Sequence, residues 1–207
     1  MPPQAQVDLA AFSTGSYDRG AGMIREVFWL LLRTTLFEHF PVRWYRLKRW
    51  VLRRFGAVVG RGVVIKPGVK VTFPWKLRIG DNVWLGEDAW LLNLEPISIE
   101  SNVCLSQRAM LCTGNHDYNS PTFALRNQPI HLECGSWIAA SAWVGPGVRV
   151  GSHAVLTAGS VTAKDLEPYG VYRGNPAIKV RRRRIEATAD VGHGSCPARP
   201  GGGLAGA

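Results

Sequence analysis

A solenoid of short parallel strands wound into three-sided coils, with helices ahead of it, is the fold this sequence predicts. Three observations predict it. Bulky aliphatic residues recur every six positions from Val59 onward, slim residues follow each of them four positions later, and turn formers follow three positions later. The chain has 207 residues, enough for one well-buried domain with an appendage.

The aliphatic column runs Val59, Ile65, Val71, Leu77, then after a two-residue slip Ile79, Leu85, Leu91, Ile97, and after a second slip Ile99, Leu105, Leu111. It resumes at Leu132, Ile138, Val144, Val150 and Leu156, and fails at Thr162, so 16 of 17 frame positions are aliphatic. The slim column holds Val63, Val69, Val83, Ala89, Val103, Ala109, Ser136, Ala142, Val148, Ala154 and Ser160. The third column holds Gly62, Gly68, Asn82, Asp88, Asn102, Gly135, Gly147 and Gly159, residue types that tolerate left-handed backbone angles. Each hexad therefore reads as a short strand plus a corner, and three hexads close one coil. The large aliphatic fills the interior, the slim residue sits where the interior narrows, and neighbouring coils pair their backbones. An ordinary half-buried sheet would show a period of two.

Ahead of the solenoid, residues 1–22 read as an extended polar arm. Residues 23–40 read as a helix with Ile24, Val27, Phe28, Leu31, Thr35 and Leu36 near one face, and Pro41 punctuates. Residues 42–55 read as a second helix, with Trp44, Leu47, Val51, Leu52 and Phe55 at helical spacing, five basic residues between them, and Gly56 at its end. Such a helix either packs its apolar face on the protein or lies on an anionic membrane surface. The organisation expected is thus an N-terminal arm with amphipathic helices (1–57), the solenoid (58–180) and a basic, disordered tail (181–207).

Composition narrows the function. Hydrophobic residues make up 46% and charged residues 19%, which excludes a wholly disordered chain. Glycine lacks an every-third-residue period, which excludes collagen. The net charge of +10 is concentrated at the ends: residues 1–57 hold nine Lys/Arg against four Asp/Glu, residues 58–180 only eleven against nine. A neutral middle and the lack of a recognised module argue against nucleic acid as a partner. The four cysteines, Cys104, Cys112, Cys134 and Cys196, show no C-x-x-C spacing and read as reduced residues of a cytosolic protein. MPPQAQVDLA lacks a basic segment followed by an apolar one, and the apolar run Val27–Leu32 is six residues, where a spanning helix needs about 20. A cytoplasmic protein is expected, at most touching the inner face of the membrane.

One interruption of the frame stands out. The hexad from Leu111 ends at His116 and the next starts at Leu132, so the fifteen residues from Asp117 to His131 are inserted there. Long excursions from rigid scaffolds often carry function. An imidazole titrates near neutrality and can take a proton from a hydroxyl.

The hexads, with LRRFGAVVGRGVVIKPGVKVTFPWKLRIGD, LCTGNHDY, WIAASAWVGPGVRVGSHAVLTAGSVTAKD and YRGNPA, resemble the hexapeptide-repeat acyltransferases. The closer resemblance is to the colanic acid biosynthesis acetyltransferases, related to maltose and galactoside O-acetyltransferases, and spans residues 8–183 approximately. It implies a left-handed parallel β-helix, a handedness that is an exception to the usual crossover rule. It implies a homotrimer whose inserted loop projects toward a neighbouring subunit, with acetyl-CoA as acyl donor, no metal, and a sugar or lipid-linked saccharide of exopolysaccharide or envelope assembly as acceptor. His116 would be the general base. Asp117 would either orient the imidazole or cap a turn. Where maltose-type enzymes carry an active-site asparagine one coil earlier, the frame here offers Asp88 as acceptor contact, a corner residue on the alternative reading, while Asn93 lies nearby out of alignment. The oxyanion donor would be a backbone N–H of Ala140 or Ser141. The pantetheine arm would run over Ala140 and Ala158 with Trp137 as wall. Lys164 would meet the phosphates or simply be solvated, and Arg181–Arg184 would steer the polyanion or form a plain tail.

Two other readings stay open: a non-catalytic β-helix scaffold or membrane-surface module, and a zinc hydratase like the trimeric β-helix carbonic anhydrases. For the latter, His116, His131 and His153 are spaced by 15 and 22 residues, which does not match the three-histidine pattern. His153 falls in a corner column and is expected to be exposed. No role is assigned to it or to His39, His131 and His193.

Overall fold

The computed structural model describes residues 6–39 and 44–186, so Pro41 and residues 187–207 of the expected tail lie outside the described residues. Among those described, seventeen strands numbered along the chain stack on three faces of a prism. The first face holds β1 (Val58–Val59), β4 (Leu77–Ile79), β7 (Ile97–Ile99), β10 (Ile130–Leu132) and β13 (Arg149–Val150). The second holds β2 (Val64–Ile65), β5 (Trp84–Leu85), β8 (Cys104–Leu105), β11 (Trp137–Ile138), β14 (Val155–Leu156), β16 (Gly170–Gly174) and the antiparallel β17 (Ala177–Arg182). The third holds β3 (Lys70–Val71), β6 (Trp90–Leu92), β9 (Met110–Cys112), β12 (Trp143–Val144) and β15 (Val161–Thr162). Every pair except β16–β17 is parallel, which makes the fold the parallel β-helix that the period predicts.

All 17 frame positions are buried, and so is the whole slim column. Thr162, where the aliphatic pattern stops, still points inward, and its hydroxyl donates to the Lys164 carbonyl at 2.7 Å. The two-residue slips have a physical form. β4, β7 and β10 are three-residue strands with two inward residues each, Leu77/Ile79, Ile97/Ile99 and Ile130/Leu132. The early turns are therefore 20 residues long (Val59 pairs Ile79, Ile65 pairs Leu85), whereas Leu132 pairs Val150 only 18 residues on. All eight turn formers of the third column have positive φ. Arg108, Ser141 and His153 do too, at φ 56–58°, in the same column, Arg108 and Ser141 without a residue type that signals it.

The N-terminal elements close the open end of the prism. Carbonyls of the first turn that face away from the second have no strand to pair with, and an unpaired edge invites other chains. Here α1 (Met23–Leu32), a π-helical stretch (Arg33–His39) and α2 (Tyr45–Arg54) supply the donors. Trp29 Nε1 donates to Val71 O, Lys48 Nζ to Lys66 O, Arg49 to Val63 O and Arg53 to Val59 O, at 2.6–3.3 Å. In return the Gly68 N–H donates to Phe37 O. Lys48 is fully buried over the Phe37 ring, and burial lowers its pKa.

This demand for donors overrides the amphipathic reading. Of the residues placed near one face of the first helix, Ile24, Val27, Phe28 and Leu31 are exposed, and Trp29 and Phe37 are buried instead. On α2, Val51 and Leu52 pack as expected and Phe55 is half-buried, but Trp44 and Leu47 face outward.

Other expectations shift. β17 carries the folded region through Arg182, beyond the boundary set at 180, and Arg183 donates to the carbonyls of Gly135 and His153. Cys104 and Cys112 are free thiols, but Cys134 is disulfide-bonded rather than reduced. His153 is half-buried, not exposed, and its ring lies 4.8 Å from that of Tyr169. Burial, with the Arg183 charge adding to it, holds its pKa below the ordinary histidine value of 6.5. The unfolded chain therefore binds more protons than the folded one as pH drops below 6.5, and stability is lost on that side until the folded pKa is passed. His153→Asn, which keeps a residue tolerant of left-handed φ, is expected to shrink the fall in Tm between neutral and mildly acid pH, measured by calorimetry across that range.

Candidate functional site

The excursion leaves the prism after β9 and returns at β10, so Ile130 and His131, counted with the insertion in the sequence, belong to a strand. Its base is pinned. Thr113, fully buried, donates its hydroxyl to Leu92 O and accepts the Glu95 N–H, while Gln128 N donates to Thr113 O. Above the base the chain forms an antiparallel hairpin. Arg126 N donates to Asn115 O, Asp117 N donates to Ala124 O, and His116 bridges Leu125.

His116 sits exposed on this hairpin with its ring held by the loop itself. Its Nδ1 lies 2.8 Å from Phe123 O. A carbonyl only accepts, so Nδ1 carries the hydrogen and Nε2 is left with a free lone pair, the form a general base needs. Phe123 reaches this geometry at φ +52°, rare for a bulky residue. Its ring and that of Phe12 flank the imidazole, each at 5.9 Å between centroids.

Phe12 arrives on the N-terminal arm, which is strapped down rather than loose. Asp8 N donates to Pro121 O on the loop, Tyr17 Oη to Leu94 O, Trp75 Nε1 to Arg19 O, and Lys76 Nζ to Asp18 O. Burial, then the Glu95 charge, pushes Tyr17 up to about 12, so it stays a neutral donor. No periodic signal marks Phe12 or Phe123, and sequence reasoning missed both.

Asp117 does not touch the imidazole. Its carboxylate accepts the Asn119 N–H at 3.0 Å and pairs with Arg126 at 2.8 Å, so its contacts are those of a turn cap. Asp88 lies exposed at the corner between β5 and β6, on the far side of the third face from the loop. The residue one turn before the loop in the same corner is Asn93. Leu92 pairs with Cys112, which sets Asn93 directly before Thr113 in the stack. Asp88 and Asn93 thus belong to the same turn, one turn before the loop, but stand at different corners. Asn93 is also fully buried, accepting the N–H groups of Thr72 and Phe73 and donating to Phe73 O, which leaves its amide no face toward an acceptor.

The residues expected along the acyl donor fall into two places. Ala140, Ser141 and Ala158 share the corner between the second and third faces, where the Gly159 N–H donates to Ala140 O. Trp137 borders it on β11, partly exposed, its indole donating to Ser106 Oγ. Ser141's N–H is taken by Gln107 O, whereas among the described residues no acceptor is seen for the N–H of Ala140 or of Ala158, so both are open donors at this corner. Exposed Lys164 follows β15 at the other corner, two turns above the loop. His116 and Ala140 thus stand at different corners of one protomer, with the third face between them. His131 pairs with Glu100 at 2.8 Å, and among the described residues no three His, Cys, Asp or Glu side chains gather to hold a metal.

No family model matches the chain. It is 40% identical over 176 residues, 85% of this chain and 97% of the other, to the colanic acid biosynthesis acetyltransferase WcaF of Escherichia coli (strain K12). Among solved structures it resembles a hexapeptide-repeat acetyltransferase of Vibrio cholerae O1 biovar eltor complexed with acetyl coenzyme A (TM-score 0.71, 20% identity, 84% of this chain and 96% of that one). It also resembles a galactoside acetyltransferase in complex with coenzyme A (TM-score 0.69, 21% identity, 77% and 80%). At these identities the structural likeness concerns the fold.

Proposed function

The chain belongs to the family of colanic acid biosynthesis acetyltransferases, and we propose that it moves an acetyl group from acetyl-CoA to a hydroxyl of a sugar or saccharide precursor in exopolysaccharide or envelope assembly, in the cytoplasm. The observation that carries this reading is the imidazole of His116, fixed by Phe123 O with Nε2 open. Nε2 takes the proton of the acceptor hydroxyl as its oxygen bonds to the thioester carbonyl carbon. The tetrahedral oxyanion is met by the Ala140 N–H. Collapse breaks the carbon–sulfur bond, and the departing thiolate takes the proton back from the imidazolium. No acyl-enzyme is needed.

The separation of the two corners supports a homotrimer. One protomer's hairpin carries the base, and a neighbour's corner, with Ala140, Ala158 and Trp137, supplies the groove for the pantetheine arm. Lys164 and the Arg181–Arg184 run serve the phosphates. Asp88, exposed beside that groove's corner, is the remaining acidic contact for an acceptor hydroxyl, and Asp117 positions the hairpin through Arg126. Purified protein is expected to release free thiol from acetyl-CoA only when a saccharide acceptor is added. Thiol release that ignores every hydroxyl acceptor, or a monomer in solution, would refute the reading.

A further inference from the structure

The helical cap presents an outer face that the prism does not use. On α1, Met23, Ile24, Val27, Phe28, Leu30 and Leu31 are exposed, Met23 to 80% and Ile24 to 76%. On α2 Leu47 and Trp50 are exposed, as is Trp44 just before it. The two helices are tied to each other, Arg25 donating to Phe55 O at 2.7 Å and the Trp29 ring lying 5.4 Å from that of Phe55. Their inward residues, Trp29, Lys48, Val51 and Leu52, pack against the first turn; Ile24, Phe28 and Leu31 lie on the side away from it, while Met23, Val27 and Leu30 border a cleft with Phe73, Trp75 and Leu94.

Charge says what fits this face. α2 carries five basic residues and no acidic one. Lys48, Arg49 and Arg53 spend their hydrogen bonds on carbonyls of the first turn, which does not cancel their charge. Arg46 and Arg54 are exposed and enter no ion pair among the described residues. We propose that the cap docks the protein on a lipid bilayer bearing anionic headgroups. Apolar side chains of α1 settle at the boundary of headgroups and acyl chains, Trp44 and Trp50 lie at the interface, and Arg46 and Arg54 meet lipid phosphates. A second copy of the chain fits worse, since it would set one uncompensated basic helix against another. No helix among the described residues is long and apolar enough to cross a membrane, so the contact is with the surface. The proposal does not rest on the chemistry at His116.

Flotation of the full-length protein with vesicles tests it. Binding is expected to vesicles of phosphatidylcholine mixed with phosphatidylglycerol and not to phosphatidylcholine alone. It should weaken with salt as the Debye length shrinks from about 10 Å at 0.1 M to about 3 Å at 1 M. The double variants Ile24→Asp/Phe28→Asp and Arg46→Glu/Arg54→Glu should each lower the bound fraction at least about tenfold, with the oligomeric mass by light scattering and Tm unchanged. Absence of wild-type binding to the anionic vesicles overturns the proposal. So does wild-type binding by the arginine variant, or a fall in oligomeric mass of the α1 variant, which would mean that a second copy covers this face.

Discussion

Replacing His116 by alanine lowers kcat by about 10²–10⁴-fold, the usual worth of a positioned general base, and leaves acetyl-CoA binding at its wild-type Kd. The ring is exposed and, among the described residues, makes a single hydrogen bond, Nδ1 to Phe123 O, so Tm should barely move. His116→Asn separates proton transfer from positioning. The asparagine amide can still donate to Phe123 O and hold the hairpin tip, but it cannot accept a proton at neutral pH. Both variants should be equally inactive. Thiol release by either at the wild-type rate, followed in steady state with a saccharide acceptor, removes His116 from the chemistry. Activity retained by asparagine but not alanine would instead assign the residue to holding the loop.

Why His116 was legible and its surroundings were not follows from range. His116 interrupts a six-residue period, and a break in a repeat is visible along the chain. The solenoid was legible for the same reason: inward residues, narrow corners and left-handed turns all recur in sequence. Arg108 and Ser141 escaped because stacking against neighbouring turns holds them in a conformation their side chains do not advertise. The cap was misread because amphipathic spacing records where apolar residues lie, while the open end of a prism selects donors. Trp29, Lys48, Arg49 and Arg53 were drawn inward to carbonyls, and Ile24, Phe28 and Trp44 were left outside. Phe12 meets His116 across most of the fold, a contact no local pattern encodes. The choice between Asp88 and Asn93 turned on a corner. Counting hexads finds the turn, but only strand pairing shows which residue of that turn stands beneath the loop.

Asn93→Leu is expected to destabilise the protein by about 3–5 kcal/mol, because two buried backbone groups lose their partner at about 1–3 kcal/mol each and the new side chain must displace packed neighbours. The groups are the N–H and C=O of Phe73, both bonded by the Asn93 amide; the Thr72 N–H keeps a second acceptor in Leu91 O. At roughly 2–4 °C per kcal/mol for a chain of this size, Tm should fall by about 6–20 °C in calorimetry. The site explains the cost. Phe73 leads into the short 3₁₀ helix Pro74–Lys76, where Trp75 and Lys76 hold the N-terminal arm, and Asn93 fixes that segment from one turn above. One turn above again, Thr113 anchors the foot of the hairpin that carries His116. A residue serving the acceptor directly would behave the other way: Tm would hold, and KM for the saccharide would rise. That outcome would return Asn93 to the acceptor site and require its side chain to leave the interior.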